Sequence, residues 1–295
     1  MIRHSLFSRC VADHRGSMIG VALTNAVIAM VVTLIFPSYR EALANFQLPE
    51  ILQGFLGEAG ASAYSTFNGF VAVEFFAWVP ILLTVIAIIG GTAAIAGDEG
   101  AGTLDLLLAQ PVRRSRLLLE RSAALIVVLV VAALAGLPGF LLASAFVDFP
   151  IGLGNITLAI LNMLPLVLLF LALSVLGSAA LPSRSAATML SVAVVVITYF
   201  FNLIGAASEQ VRILQKFSPF YWADASHVLL HGFDWLRTGI FLALTVALFG
   251  LALLAFERRD VSIGIREWHV GEWLRTLGVE IRAFRRHRFT PRRPA

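Results

Sequence analysis

Long apolar runs separated by short polar stretches dominate this chain. Six runs, at about residues 17–36, 69–96, 122–147, 156–180, 185–206 and 236–256, are almost free of charged residues. Each reaches the roughly 20 apolar residues that a helix needs to cross a bilayer. The pattern therefore predicts an all-α membrane protein with six transmembrane helices.

The third and fourth runs contain prolines in their interior. Pro138 lies between Gly136 and Gly139 in the third run, and Pro165 lies in the fourth. Proline removes a backbone hydrogen bond and clashes with the preceding turn, so we expect both helices to kink there. Such kinks serve either as hinges or as ordinary packing features, because proline is tolerated in spanning helices.

The basic residues are distributed unevenly between the connections. If the N-terminus is cytoplasmic, eighteen arginines fall in the cytoplasmic connections and termini, against three or four basic residues outside. Positive charge near span ends favours the cytoplasmic side. We therefore predict that both termini are cytoplasmic.

Composition excludes several classes of protein. Hydrophobic residues make up 59% of the chain and charged residues only 14%, well below the roughly 25% of a soluble domain. The net charge of +4 does not indicate nucleic-acid binding, because the arginines cluster at span ends and in the C-terminal tail. Cys10 is the single cysteine, which excludes an intramolecular disulfide and a cysteine-rich metal site.

The connection between the second and third runs, residues 97–114, is the most distinctive stretch and is called the polar segment below. Glycines allow a sharp turn, Thr103 is the expected N-cap of a short helix, and Pro111 ends it. Three leucines share one face of that helix: Leu104, Leu107 and Leu108. Because so short a helix is marginal in water, it docks either on lipid headgroups or on a partner.

The polar segment also carries a resemblance to a known family. Residues 95–99 (IAGDE), 102–107 (GTLDLL) and 110–114 (QPVRR) together resemble the permease subunits of ABC-2-type ABC transporters. The resemblance extends to the basic N-terminal stretch, to Leu48-Pro49-Glu50 and to residues 256–260 (FERRD). It covers roughly residues 1–264, which we expect to be the permease domain, followed by a basic tail at 265–295.

This resemblance implies a membrane-spanning permease subunit whose polar segment contains a cytoplasmic coupling helix. The partners it implies are a separate cytoplasmic ABC ATPase, which binds ATP and magnesium, and a second permease copy or a related permease, with lipids around them. It implies that the substrate is exported across the plasma membrane of a prokaryote. No nucleic-acid partner is expected. The residues expected to couple to the ATPase are Asp98, Glu99, Gly102, Thr103, Leu104, Asp105, Leu107, Leu108, Pro111, Arg113 and Arg114.

The residues themselves argue against an ATP site or an enzyme in this chain. A P-loop needs Gly-Lys followed by Ser or Thr, whereas the only lysine, Lys216, follows Gln215. We therefore expect no cofactor in this chain. An intramembrane enzyme needs paired acids or a Ser-His set at depth, but all six histidines lie outside the spans. A membrane scaffold or sensor that docks an ATPase without moving cargo stays open as an alternative.

Four polar residues inside the spans are candidates for a substrate path: Glu74, Asn25, Asn162 and Asn202. Glu74 is the one charged residue away from the edge of a span. It contacts a cationic substrate, pairs with a neighbouring span, or reaches water at the interface, which is the favoured interpretation. The asparagines are better explained as hydrogen bonders between helices than as substrate ligands.

The loops and the tail predict amphipathic interfacial helices. Outer loops at about residues 37–68 and 207–235 carry apolar residues at helical spacing, and the resemblance implies that the second caps the exit path. Asp224, His227 and His231 would share one helical face, which is compatible with a metal ion but is more often a polar interface, so we predict no metal site. The tail mixes arginines with tryptophans and predicts a helix on anionic lipids or on a partner.

Overall fold

The computed structural model describes residues 6–44, 66–97, 113–147, 152–207, 209–223, 228–229 and 233–258. Within these ranges the chain is helical and contains no strand. Six helices or broken helices are long and apolar enough to cross a membrane. The predicted all-α, six-span fold is thereby confirmed.

Span one is the single helix Leu6–Ala44. Span two consists of Phe67–Glu74 and Val79–Ala93, and span three of Arg114–Leu134 and Gly136–Ser144. Spans four, five and six are Leu153–Ala180, Arg184–Ala207 and Trp235–Arg258. Between spans five and six, Glu209–Phe217 form a 3₁₀ helix and Pro219–Trp222 a single helical turn.

Span four is the centre of the bundle. It packs against spans two, three, five and six, while span one packs against span three and the first piece of span two. Of the most apolar stretch of span four, 72% is buried, against 11% for span five. Span five therefore presents most of its surface to the surroundings, which suits a helix that faces lipid or another copy.

Span two is broken between Glu74 and Val79, which the sequence analysis did not predict. Pro80 has no N–H, so the carbonyl of Phe76 loses its helical partner. The N–H groups of Phe75 and Phe76 both donate to the carbonyl of Val71, at 3.0 and 3.1 Å, and so close a widened turn. The break thus arises from a proline in the following helical turn.

Span three is interrupted at Ala135, three residues before Pro138, where we expected a kink. The ring of Phe75, at the break in span two, lies 5.0 Å from the ring of Phe140. A Cβ on Gly136 would approach the Phe75 ring to 2.8 Å, so only glycine leaves room for it. The two breaks therefore pack against each other. Span four, in contrast, runs through Pro165 without interruption.

The 3₁₀ helix folds back along the end of span five. A Cβ on Gly205 would lie 2.7 Å from the backbone nitrogen of Gln215, so glycine permits this close approach. The side chain of Gln215 also donates to Asn202. This return is the described part of the second predicted outer loop. Of the first predicted outer loop, residues 37–44 belong to span one and residues 66–68 to the start of span two. Residues 45–65, the tail from residue 259, and Asp224, His227 and His231 lie outside the described residues.

Candidate functional site where the polar segment joins the bundle

The chain leaves the bundle at Gly97, which is called the entry point of the polar segment, and returns to the bundle at Arg113, which is called its exit point. Nine of the eleven predicted coupling residues lie outside the described residues: Asp98, Glu99, Gly102, Thr103, Leu104, Asp105, Leu107, Leu108 and Pro111. Arg113 and Arg114 are described. The structure therefore defines the two attachment points of the segment, which are described next.

Ser178 of span four holds the entry point. Its Oγ accepts hydrogen bonds from the N–H groups of Ile95 and Ala96, both at 3.0 Å. The same hydroxyl donates to the carbonyl of Thr92 at 3.0 Å. One donated and two accepted bonds are the full capacity of a hydroxyl. Because Ser178 is fully buried, span four fixes the last turn of span two before the chain leaves the bundle.

Arg121 of span three supplies a second anchor at the same point. Its Nη1 donates to the carbonyl of Ala94, just beyond the end of span two. Carbonyls in the last turn of a helix have no helical donor, and basic side chains satisfy them well. The entry point is therefore tied to spans three and four at once.

Span five joins this cluster through threonine hydroxyls. The hydroxyl oxygens of Thr188 and Thr92 lie 3.2 Å apart, and the single proton of Thr188 is shared between Thr92 and the carbonyl of Arg184 in its own helix, at 2.9 Å. Thr92 donates to the carbonyl of Ile88 at 2.7 Å. A Cβ on Gly91 would lie 2.8 Å from the Cβ of Ser174 in span four, so span two lies close against span four one turn earlier as well. These contacts place the ends of spans two, four and five side by side.

The exit point contacts the remaining spans. Arg113 is the N-cap of span three, and the guanidinium of Arg114 lies 5.9 Å from the ring centre of Phe256 in span six, within cation–π range. One turn further, Glu120 pairs with Arg116 at 2.7 Å and accepts the N–H of Phe7 in span one at 3.2 Å. The end of span two thus contacts spans three, four and five, the exit point contacts span six, and Glu120 links span three to span one.

The candidate substrate-path residues are not brought together into one cluster. Asn25 is fully buried, and its Nδ2 donates to the carbonyls of Ala132 and Ala133, at 2.9 and 3.2 Å. Both carbonyls lie just before the interruption at Ala135. Asn25 therefore stabilises the broken turn of span three from the neighbouring helix.

The other two asparagines also bind neighbouring helices. Asn162 of span four accepts the hydroxyl of Thr238 in span six at 3.2 Å, and Asn202 of span five accepts the amide of Gln215 at 3.3 Å. These contacts agree with the interpretation of the asparagines as interhelical hydrogen bonders. Glu74 is half-buried at the last residue of the first piece of span two.

The residues that anchor the polar segment are not among those predicted from the sequence. Ser178 and Thr92 are single small polar residues in apolar runs, which indicate nothing by themselves. A usable signal was their placement, because each lies within a few residues of the same predicted end of its span. Arg121 was taken as a topology marker, whereas its side chain also binds the end of span two.

Comparison with known proteins places the whole bundle in one family. No curated protein matches the chain. Residues 11–261, which include all the described parts of spans two to six, match the family described as ABC-2 family transporter protein. The match spans most of the chain and nearly the same residues as the resemblance carried by the polar segment. The chain therefore belongs to the ABC-2 family of transporter proteins and is a membrane permease component of an ABC transporter.

Proposed function

We propose that this chain is the permease subunit of an ATP-driven exporter and that its polar segment is the docking site of a separate cytoplasmic ATPase. The observation that carries the proposal is the attachment of both ends of the segment to neighbouring spans: side chains of spans three and four bind the entry point, and span six contacts the exit point. A displacement of the segment would therefore be passed to the bundle rather than absorbed at its ends.

The proposed mechanism needs motion but no chemistry in this chain. ATP binding closes two ATPase subunits, which shift the coupling helix of each permease. The entry point then moves span two together with span four, since Ser178 binds the backbone of residues 95 and 96. The breaks at Phe75–Trp78 and at Ala135 are the points where spans two and three would bend.

The working unit we propose is two permeases and two ATPases in the plasma membrane of a prokaryote, with both permease termini cytoplasmic. The positive charge at the end of the bundle where the polar segment is attached supports this orientation. Family membership supports the ATPase partner, which would bind ATP and magnesium. The nearly uncharged spans are compatible with an apolar or amphipathic cargo.

Co-purification in mild detergent from the native host tests the docking proposal. We expect a roughly stoichiometric partner that bears a Gly-rich loop with Lys-Ser or Lys-Thr. Leu107→Asp, on the predicted leucine face, should abolish its recovery. Leu106→Asp places the same charge on the opposite face of the same helix and should retain it. Equal recovery with both variants would refute the assigned docking face.

Flux distinguishes a transporter from a scaffold that only binds the ATPase. The purified complex is reconstituted into vesicles, and the movement of a panel of fluorescent amphipathic dyes is followed with ATP or with a non-hydrolysable analogue. ATP-dependent flux that Leu107→Asp abolishes is the expected result. A bound, active ATPase without any flux would favour the scaffold.

A further inference from the structure

A cavity of about 630 Å³ lies at the end of the bundle opposite the polar segment. It is bounded by span four, by the first turns of span six and by the short helices between spans five and six. The residues that line it are Leu169, Phe217, Ser218, Pro219, Trp222, Asp234, Leu236, Arg237, Ile240, Phe241 and Leu244. Its volume and its largely apolar lining are typical of a small-molecule site.

The inner wall of the cavity is a fixed apolar surface. Leu169 and Phe241 belong to a buried cluster with Leu166 and Phe170, so spans four and six are packed together directly behind it. Phe220, from the short helical turn, packs on the same cluster, with its ring 5.5 Å from that of Phe170. The cavity is therefore preformed and offers a surface for a hydrocarbon chain.

The rim of the cavity is polar and carries one arginine with unused donors. Asp234 caps span six: its Oδ1 accepts the N–H groups of Leu236 and Arg237, and its Oδ2 lies 2.9 Å from the Nε of Arg237. Both oxygens of the carboxylate are thus engaged. Within the described part of the chain, the terminal amino groups of Arg237 have no hydrogen-bond partner. The Arg237 side chain is 32% exposed, so these donors are accessible.

Trp222 fixes the position of that guanidinium. The indole N–H of Trp222 donates to the carbonyl of Lys216 at 2.8 Å, which holds the ring in place. The guanidinium of Arg237 lies 5.4 Å from the centre of the ring. A planar guanidinium held by a carboxylate on one side and an aromatic face on the other is well suited to bind a phosphate through its remaining N–H groups.

The polar and apolar parts of the cavity are separated by a distance that fits a membrane lipid. Leu244 lies seven residues after Arg237 on a continuous helix, which places it about 10 Å further along the axis of span six. Arg237 is in the first turn of a spanning helix, at the level where headgroups lie, and Leu244 is at the level of the acyl chains.

We propose that the cavity binds one membrane phospholipid, with an acyl chain between spans four and six and its phosphate on Arg237. The arrangement requires both parts of the lipid. The apolar wall does not bind a free phosphate, and Arg237 does not bind an uncharged chain. The site does not depend on the proposed function, because it uses none of the residues that hold the polar segment.

Native mass spectrometry of the delipidated full-length protein in detergent micelles tests the proposal. Phosphatidylglycerol is compared with diacylglycerol of the same acyl chains, which lacks the phosphate, and with glycerol phosphate, which lacks the chains. We expect phosphatidylglycerol to bind about tenfold or more tightly than diacylglycerol, since a charge-assisted hydrogen bond contributes on that order. Glycerol phosphate should not bind measurably.

Variants separate this cavity from the general lipid-facing surface. Arg237→Gln should reduce phosphatidylglycerol binding about tenfold and remove the preference over diacylglycerol. Leu244→Trp should fill the cavity and weaken both lipids. Leu254→Trp is the matched control, because Leu244 and Leu254 are 48% and 51% exposed on the same helix and only Leu244 lines the cavity.

Three results would overturn the assignment. One is unchanged phosphatidylglycerol binding by Arg237→Gln in protein that keeps its helical circular dichroism. Another is equal weakening by Leu244→Trp and Leu254→Trp, which would indicate ordinary surface lipid. The third is binding of glycerol phosphate as tight as that of phosphatidylglycerol, which would indicate an anion site. If Arg237→Gln does not fold, the comparison of the two tryptophan variants decides alone.

Discussion

Replacing Ser178 with alanine removes at least the three hydrogen bonds described above from the point where the polar segment joins the bundle. The change deletes one oxygen atom and leaves the backbone geometry of span four intact. It deprives the N–H groups of Ile95 and Ala96 of their acceptor. These two residues are buried, with 1% and 2% of their surface exposed. It also removes the donor to the carbonyl of Thr92.

The expected loss of stability follows from these three bonds. Hydrogen bonds between membrane helices contribute about 0.6 kcal/mol each on average, which gives about 2 kcal/mol for the set. If both N–H groups stay buried without a new partner, each costs about 1–3 kcal/mol, so the pair costs about 2–6 kcal/mol, with a midpoint of about 4 kcal/mol. We therefore expect Ser178→Ala to lower the free energy of unfolding by about 2 to 4 kcal/mol.

Ser174→Ala is a matched control for this prediction. Ser174 lies one turn earlier on span four and is fully buried like Ser178, but its hydroxyl donates to the carbonyl of Phe170 in its own helix, at 2.7 Å. That carbonyl belongs to the regular helix ladder, so its loss should cost well under 1 kcal/mol. Both variants remove the same atom from a buried site.

The measurement is reversible unfolding in mixed micelles, followed by circular dichroism, together with hydrogen exchange of the amides of residues 95 and 96. Ser178→Ala should lower the unfolding free energy and accelerate exchange at those two amides, while Ser174→Ala should leave exchange there unchanged. Equal destabilisation by the two variants, or unchanged exchange in Ser178→Ala, would refute the role assigned to this hydroxyl.

Two further predictions concern the contact between spans one and three. A Cβ on Gly139 would overlap the backbone oxygen of Ala26. Gly139→Ala should therefore destabilise the protein by about 1–3 kcal/mol. Gly250→Ala is the control: a Cβ there would have no neighbour within 4 Å, so the variant should be as stable as the unchanged protein in the same unfolding assay. Asn25→Ala removes the side-chain donor to the carbonyls of Ala132 and Ala133 and should cost about 1–3 kcal/mol. A loss no larger than that of Gly250→Ala would contradict the stabilising role of the amide.

The number and approximate positions of the spans could be predicted from hydropathy alone, because twenty apolar residues have few alternatives to a spanning helix. The helix ends could not. Span one begins at Leu6, well before the apolar run that starts near residue 17, because hydropathy marks the part of a helix that suits lipid and not where the helix itself ends.

The breaks and anchors were predictable to different degrees. Pro138 predicted the interruption in span three. Pro80 indicates the break in span two in the same way, although no kink was predicted there. The role of Ser178 depends on how span four is rotated against the end of span two, which no local pattern in either helix encodes. The asparagines were recognised as helix–helix contacts by type, but their partners Ala132, Thr238 and Gln215 required the fold.

Span one has a consequence for which parts of the chain tolerate a change in length. Its 39 residues extend about 58 Å, almost twice the roughly 30 Å of a bilayer's hydrocarbon core, so even a tilted helix projects beyond the membrane. One contact on it, between Phe7 and Glu120, lies near one end, and another, between Ala26 and Gly139, lies near the middle. Inserting one residue between them would rotate everything before it by about 100° and separate Phe7 from Glu120. The part of span one between Phe7 and Ala26 should therefore not tolerate an insertion or deletion of one residue.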